Sequence, residues 1–198
     1  VHMLLASGLT VAFLLAGLSA FAWLIGNRGA SIRATLRTGL VLGAALIPLQ
    51  IVAGDMHGLN TLEHQPQKIA AMEGNWETQS HVPLLLFAIP DEEARENRFE
   101  IAIPNGASLI LKHKADGVVP GLNDYVAEDG TVMHPPVAPV FYSFRIMIGT
   151  GVAMLALSWA GLIFMTWKRM MPDGIRRRPG VDGLPKVLLL VLVPMAFS

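Results

Sequence analysis

The chain alternates between long apolar runs and polar connections. From Met3 to Ile25 there are 23 residues without a charge. At 1.5 Å per residue such a helix reaches about 34 Å, enough to cross a bilayer. Within it Gly8, Ala12, Ala16 and Ala20 recur every four residues, a stripe of small side chains that lets another helix approach closely. The basic connection GNRGASIRATLR follows, and Thr38 to Ala53 is expected as a second span. There Gly39 and Gly43 stand at GxxxG spacing and Pro48 is placed to kink the outer half. From Asp55 to Ala138 proline and glycine interrupt the chain often. The longest apolar pieces, VPLLLFAIP and NGASLILK, are too short to cross and are expected to pack the loop onto itself or onto the membrane surface. Pro139 to Trp167 is a third span broken only by Arg145, and residues from Leu184 onward begin a fourth that the sequence does not finish. The expected fold is therefore an all-α membrane protein of three complete transmembrane helices plus a truncated fourth, with one large loop. The expected segments are 1–54 (first helix pair), 55–138 (loop) and 139–198 (third helix, basic loop and truncated fourth helix).

Charge orients this scheme. The loop from Asp55 to Ala138 holds 13 of the 15 acids against five bases, Lys68, Arg95, Arg98, Lys112 and Lys114. The connection after the first span holds Arg28, Arg33 and Arg37 and no acid. The one after the third holds Lys168, Arg169, Arg176, Arg177, Arg178 and Lys186 against Asp173 and Asp182. Short basic loops stay in the cytoplasm, so the large acidic loop is expected on the extracytoplasmic side, with the amino end also outside. Composition agrees with a lipid environment: 53% of residues are hydrophobic and 15% charged, too apolar for an ordinary soluble domain. The absence of cysteine excludes disulfides, thiolate metal sites and a cysteine nucleophile. Both ends stop beside or inside apolar runs without polar flanks, so the chain reads as the middle of a longer protein. The expected environment is membrane lipid, and no nucleic-acid partner is expected.

With the first and third helices both running inward, His2 and Met147 fall at outer ends, at one membrane depth. A histidine and a methionine on two helices of a bundle can hold haem iron and raise its potential. Taken alone the pair decides little, since Met147 is one of ten methionines and serves equally as core filler, and His2 as a wetted interfacial residue. The other five histidines, His57, His64, His81, His113 and His134, lie in the loop without metal-site spacing. Trp76 can stack on a ring or anchor at the interface. Two other classes stay open on the residues alone: a transporter or channel segment with an outer binding loop, and a structural membrane anchor without haem. The first predicts further polar groups at mid-membrane depth, and neither of the first two spans offers an ionisable one.

Several blocks carry a family resemblance. They are VHMLLASG at the start, GD at 54 and 55, QKIAAMEGNWET from Gln67 to Thr78, FAIPDEE from Phe87 to Glu93, and VAPVFYSFRIMIG from Val137 to Gly149. In this order they resemble blocks of subunit I of cytochrome bd-type quinol oxidases, and the short loop resembles the cyanide-insensitive branch. The resemblance implies a respiratory quinol:oxygen oxidoreductase in the bacterial cytoplasmic membrane, of which this chain is a central fragment with a companion subunit II. It implies that His2 and Met147 ligate a low-spin haem b, with Arg145 near that haem facing a propionate or a semiquinone oxygen. It also implies that Lys68 and Glu73 serve quinol oxidation. The high-spin haem b, haem d and oxygen-reducing centre are expected outside this chain. Oxidation of a quinol needs a proton acceptor and a nearby electron acceptor, and Glu73 suits the first role. Lys68 suits a quinol oxygen. If a helix starts at Pro66, Lys68 and Glu73 lie about 140° apart around it, so each is left to meet other partners.

Overall fold

The computed structural model describes residues 1–170 and 186–196. The basic residues Arg176, Arg177 and Arg178, with Asp173 and Asp182, lie outside the described residues. Three helices are long and apolar enough to cross a membrane: α1 (His2–Leu24), α2 (Ala30–His64) and the first 31 residues of α5 (Val137–Met170). The chain divides into two units, Val1–Ala53 with the residues from Thr150 onward, and Gly54–Gly149.

In the first unit, α1 and α2 meet along the small-residue stripe. Ala12, Ala16 and Ala20 are buried, and Gly39 presses against the first two. A Cβ at Gly39 would lie 2.6 Å from the Ala12 carbonyl oxygen and 2.8 Å from the Ala16 nitrogen, so only hydrogen fits. Phe13 fills the space beside Gly43, and the Trp159 indole of α5 donates to the Ala44 carbonyl oxygen of α2 at 3.2 Å. Where the unfinished fourth span was expected, the described residues form a short helix, α6 (Lys186–Leu192), whose Leu189 and Leu192 join the same core as Leu9, Ala12 and Phe13.

The second helix is longer than hydropathy indicates. It starts eight residues before Thr38 and runs eleven past Ala53. Hydropathy stops at the first charge, but an arginine can ride on a helix and lay its stem along apolar neighbours. Arg33 does this, with its guanidinium 5.5 Å from the Trp23 ring centre.

The loop unit corrects the all-α expectation. VPLLLFAIP does not remain an irregular piece: β1 (Leu84–Asp91) pairs antiparallel with β2 (Glu96–Ile103) from Leu84↔Ile103 to Asp91↔Glu96, with irregular register on both sides of Phe87. Asp91 closes the turn, its Oδ1 accepting from the Glu93 and Ala94 amides while Oδ2 pairs with Arg98 at 2.5 Å. Those bonds hold its carboxyl below the usual carboxylate range. The bulged strands hide the alternation that would mark them in sequence. NGASLILK becomes α4 (Gly106–Lys112), docked under β1 through Ser108, whose hydroxyl accepts the Val82 amide at 2.8 Å. Five non-glycine residues here have left-handed backbone: His81, Arg95, Phe99, Asn105 and His113, at φ from 54° to 58°.

Candidate functional site

The short helix α3 (Pro66–Glu73) begins with proline, whose missing N–H costs nothing in a first turn. It ends because Gly74 takes a left-handed conformation at φ 68°. That glycine is required twice, since a Cβ would also meet the Phe141 ring at 3.1 Å. Ile69, Ala70, Ala71 and Glu73 face inward, while Lys68 is exposed. The chain after α3 is tied down by the segment 119–124. Asn75 donates to the Pro120 carbonyl oxygen at 3.0 Å, the Leu122 amide donates to the Asn75 carbonyl oxygen at 2.9 Å, and the Thr78 hydroxyl bonds the Asp124 carboxylate.

Glu73 is the buried acid of this unit, 6% exposed. Its Oε2 accepts from Arg145 Nη2 at 2.8 Å, and the Arg145 side chain is itself only 12% exposed. Burial pushes the Glu73 carboxyl above the ordinary glutamate range, and the charge and hydrogen bond of Arg145 oppose this without cancelling it. The guanidinium lies 4.7 Å from the Phe141 ring centre and 5.3 Å from that of Phe144. Its Nε and Nη1 are buried with no hydrogen-bond partner among the described residues. Two nitrogens of a cation thus lack an acceptor, which suits an anionic oxygen from a bound group.

Residues of the hairpin complete the surroundings. Glu92 Oε1 accepts the Val137 amide at 2.9 Å, capping the first turn of the helix that carries Arg145. Tyr142 donates to the Ala88 carbonyl oxygen at 3.1 Å. Asn97 bonds both the Trp76 indole and the Gly74 carbonyl oxygen. A cavity of about 320 Å³ opens beside Glu73, lined among others by Trp76, Glu77, Leu85, Glu96 and Asn97. That is the lower end of small-molecule site volumes.

The loop unit therefore brings Glu73 and Arg145 together but leaves Lys68 on the outer surface. Trp76 is 7% exposed with its indole N–H engaged, so it forms part of the packing beside the cavity. Met147 is 56% exposed, on the helix that carries Arg145. In the other unit, His2 is half-buried, with both ring nitrogens 3.2–3.3 Å from the Gln50 side-chain nitrogen. An imidazole nitrogen and an exposed thioether are both able to take a soft or borderline metal. Taken one by one, the residue types fit parts of a haem: an imidazole nitrogen or a thioether sulfur is a donor for iron, and the unpartnered guanidinium N–H groups of Arg145 suit a propionate. Two contributors had no signal in the residues alone: Glu92, within a quoted block but without an assigned role, and Asn97, whose partners are 21 and 23 residues away.

The family model for cytochrome bd terminal oxidase subunit I matches residues 1–198. The chain belongs to the cytochrome bd terminal oxidase subunit I family. It is 30% identical over 167 residues to the cytochrome bd ubiquinol oxidase subunit 1 of Bacillus subtilis (strain 168), covering 81% of this chain and 36% of that protein. It is 26% identical over 196 residues to a putative cytochrome bd menaquinol oxidase subunit I of the same organism, covering 97% of this chain and 41% of that protein. The solved structure of the bd oxidase from Geobacillus thermodenitrificans is similar over 98% of this chain and 41% of that one, with TM-score 0.78 and 28% identity. The chain thus spans about two fifths of the cytochrome bd subunits it matches.

Proposed function

We propose that this chain carries the quinol-oxidising loop of a bacterial membrane quinol oxidase, with Glu73 as the acceptor of the quinol's proton. The observation that carries this reading is the buried Glu73–Arg145 pair. Two family blocks contribute one residue each, 72 positions apart, to a single ion pair beside a cavity. A carboxylate poised above its usual range by burial is well matched to taking a proton near neutral pH.

The steps belonging to this chain follow from that arrangement. A quinol ring enters the cavity with one hydroxyl toward Glu73. Arg145 keeps the carboxyl ionised in its buried setting until the proton arrives, then turns its remaining N–H groups toward the nearest anionic oxygen. Trp76, Leu85 and Phe141 exclude water around the carboxyl. Lys68, exposed on the opposite side of α3, supplies a positive charge near the approach rather than at the carboxyl. When bound, low-spin haem b would supply the one-electron acceptor; His2 and Met147 would hold its iron, and Arg145 would meet a propionate. That ligand assignment rests on the resemblance of the blocks holding them.

The complete enzyme of this reading is a respiratory quinol:oxygen oxidoreductase with a companion subunit II. High-spin haem b and haem d stand elsewhere in the subunit, the segment from Leu184 belongs to a fourth span, and the acidic loop faces the outside. The test is turnover of the full-length oxidase with a short-chain quinol. Glu73→Gln is expected to lower it about a hundredfold or more, within the range of a lost general base, with the haem spectrum intact. Normal turnover would remove Glu73 from the role.

A further inference from the structure

We propose that Asn97, on the second strand of the hairpin, is a positioning residue for quinol oxidation: its side-chain amide clasps the turn that presents Glu73. The inference rests on the reading of Glu73 as the proton acceptor and extends it to a residue that neither the family blocks nor residue spacing singled out.

Asn97 uses both ends of its amide. Its Oδ1 accepts the Trp76 indole N–H at 3.0 Å, and its Nδ2 donates to the Gly74 carbonyl oxygen at 2.8 Å. An indole nitrogen only donates and a carbonyl oxygen only accepts, so one orientation of the amide satisfies both contacts. Gly74 and Trp76 are the first and third residues after Glu73. The Gly74 carbonyl is one of the acceptors left open at the end of α3, and Asn97 fills it from outside the helix.

The clasp is backed from the other side. Gly74 lies against Phe141, and Phe141 lies under the Arg145 guanidinium. The turn carrying Glu73 is thereby held between a hairpin residue and the helix that supplies its counter-ion. An amide suits the place because it brings no charge. The charged groups around Glu73 are then Arg145 from α5, with Glu77, Glu96 and Glu100 along the cavity wall, and Lys68 outward on α3 itself. A lysine or arginine capping Gly74 would add a second cation close to the carboxyl. Loosening the turn instead admits water to Glu73, and the carboxyl then titrates closer to an ordinary glutamate.

The experiment uses the purified full-length oxidase carrying Asn97→Ala, Asn97→Asp or Trp76→Phe. kcat and KM for a short-chain quinol are measured across pH, together with the reduced-minus-oxidised spectrum. Asn97→Ala is expected to lower kcat about tenfold, as for two lost hydrogen bonds, and to move the acid limb of the pH profile to lower pH with haem content unchanged. Asn97→Asp keeps an acceptor for Trp76 but loses the donor to Gly74, so its kcat should fall as well; its limb is not compared, because the added anion by itself raises the pKa of Glu73. Trp76→Phe loses only the indole contact and should give a smaller shift in the same direction. Wild-type kcat and an unmoved limb in Asn97→Ala overturn the proposal, as does a fall in kcat with the limb unmoved, which marks a general loss of packing. If Asn97→Ala does not assemble, the limb of Trp76→Phe decides, and an unmoved limb there overturns it. Glu73→Gln, measured alongside, separates the two ideas: full turnover there sinks the acceptor role, whereas a dead Glu73→Gln with indifferent Asn97 variants sinks only the clasp.

Discussion

Removing Arg145 tests the central pair most directly. With side-chain exposures of 7% for Glu73 and 12% for Arg145, neither charge can turn to bulk water without moving the helix that bears it. Deleting one member of a buried pair typically costs about 3–5 kcal/mol, whereas replacing both members with apolar groups of similar volume is close to neutral. Arg145→Met should therefore destabilise the loop unit by about that amount, and Glu73→Leu with Arg145→Met should recover most of it. The cation–π contacts with Phe141 and Phe144 are lost in both variants, so the comparison isolates the ion pair. The assay is hydrogen–deuterium exchange of the full-length protein in detergent, read at the Leu122 amide, which donates to the Asn75 carbonyl oxygen two residues beyond Glu73. A loss of 3 kcal/mol corresponds to roughly a hundredfold faster exchange. The effect has a definite pH sign. The folded-state pKa of Glu73 lies above its unfolded value, so its ionised form is the destabilising one once Arg145 is gone. The penalty in Arg145→Met should be largest above that raised pKa and fade as pH falls through it. Equal exchange in the single and double variants, or a penalty that grows at low pH, would refute the reasoning.

Three further outcomes are expected. The wild-type turnover profile should lose activity as pH falls through a limb above the ordinary glutamate range, because a protonated Glu73 cannot accept; a limb at the usual carboxylate value would contradict the burial of that group. Gly39→Val should destabilise the first helix pair by about 1–3 kcal/mol through overpacking, seen as a lower melting temperature of the assembled protein, since even a Cβ would sit 2.6 Å from a backbone oxygen. Met147→Leu and His2→Leu in the full-length protein should each abolish the low-spin haem b signal while leaving exchange at Leu122 unchanged; an unaltered spectrum would remove that residue from the ligand set.

The membrane helices were legible because lipid imposes one strong demand, a long uncharged run, and α1 satisfies it within one residue at each end. The small-residue stripe was legible too, and its role as a seam is seen in the contacts of Gly39 with Ala12 and Ala16. Boundaries failed where charge and helix coexist, as at Arg33 and Arg37, because helicity ends with the backbone hydrogen bonds and not with the hydrocarbon. The hairpin was hidden for a different reason: its strands are bulged beside Phe87, so period-two alternation is broken in the place where it would be sought. At the site, the resemblance pointed to Glu73 and Arg145 separately. Their pairing was not named, although the rule that a charge in a span needs a partner already asked for one. Asn97 and Glu92 act through hydrogen bonds to segments far along the chain, and no pattern of neighbours announces such bonds.

The five left-handed residues between His81 and His113 bear on how the loop moves. Each costs about 1–2 kcal/mol against a relaxed backbone, so the segment holds its shape only while its contacts offset a total of about 5–10 kcal/mol. The hairpin meets α5 and the end of α3 through a few shared contacts: Asn97 on Gly74, Glu92 on Val137 and Tyr142 on Ala88. A segment held by so few bonds is expected to open as one unit, so that removing any one of them should speed hydrogen exchange across the whole hairpin.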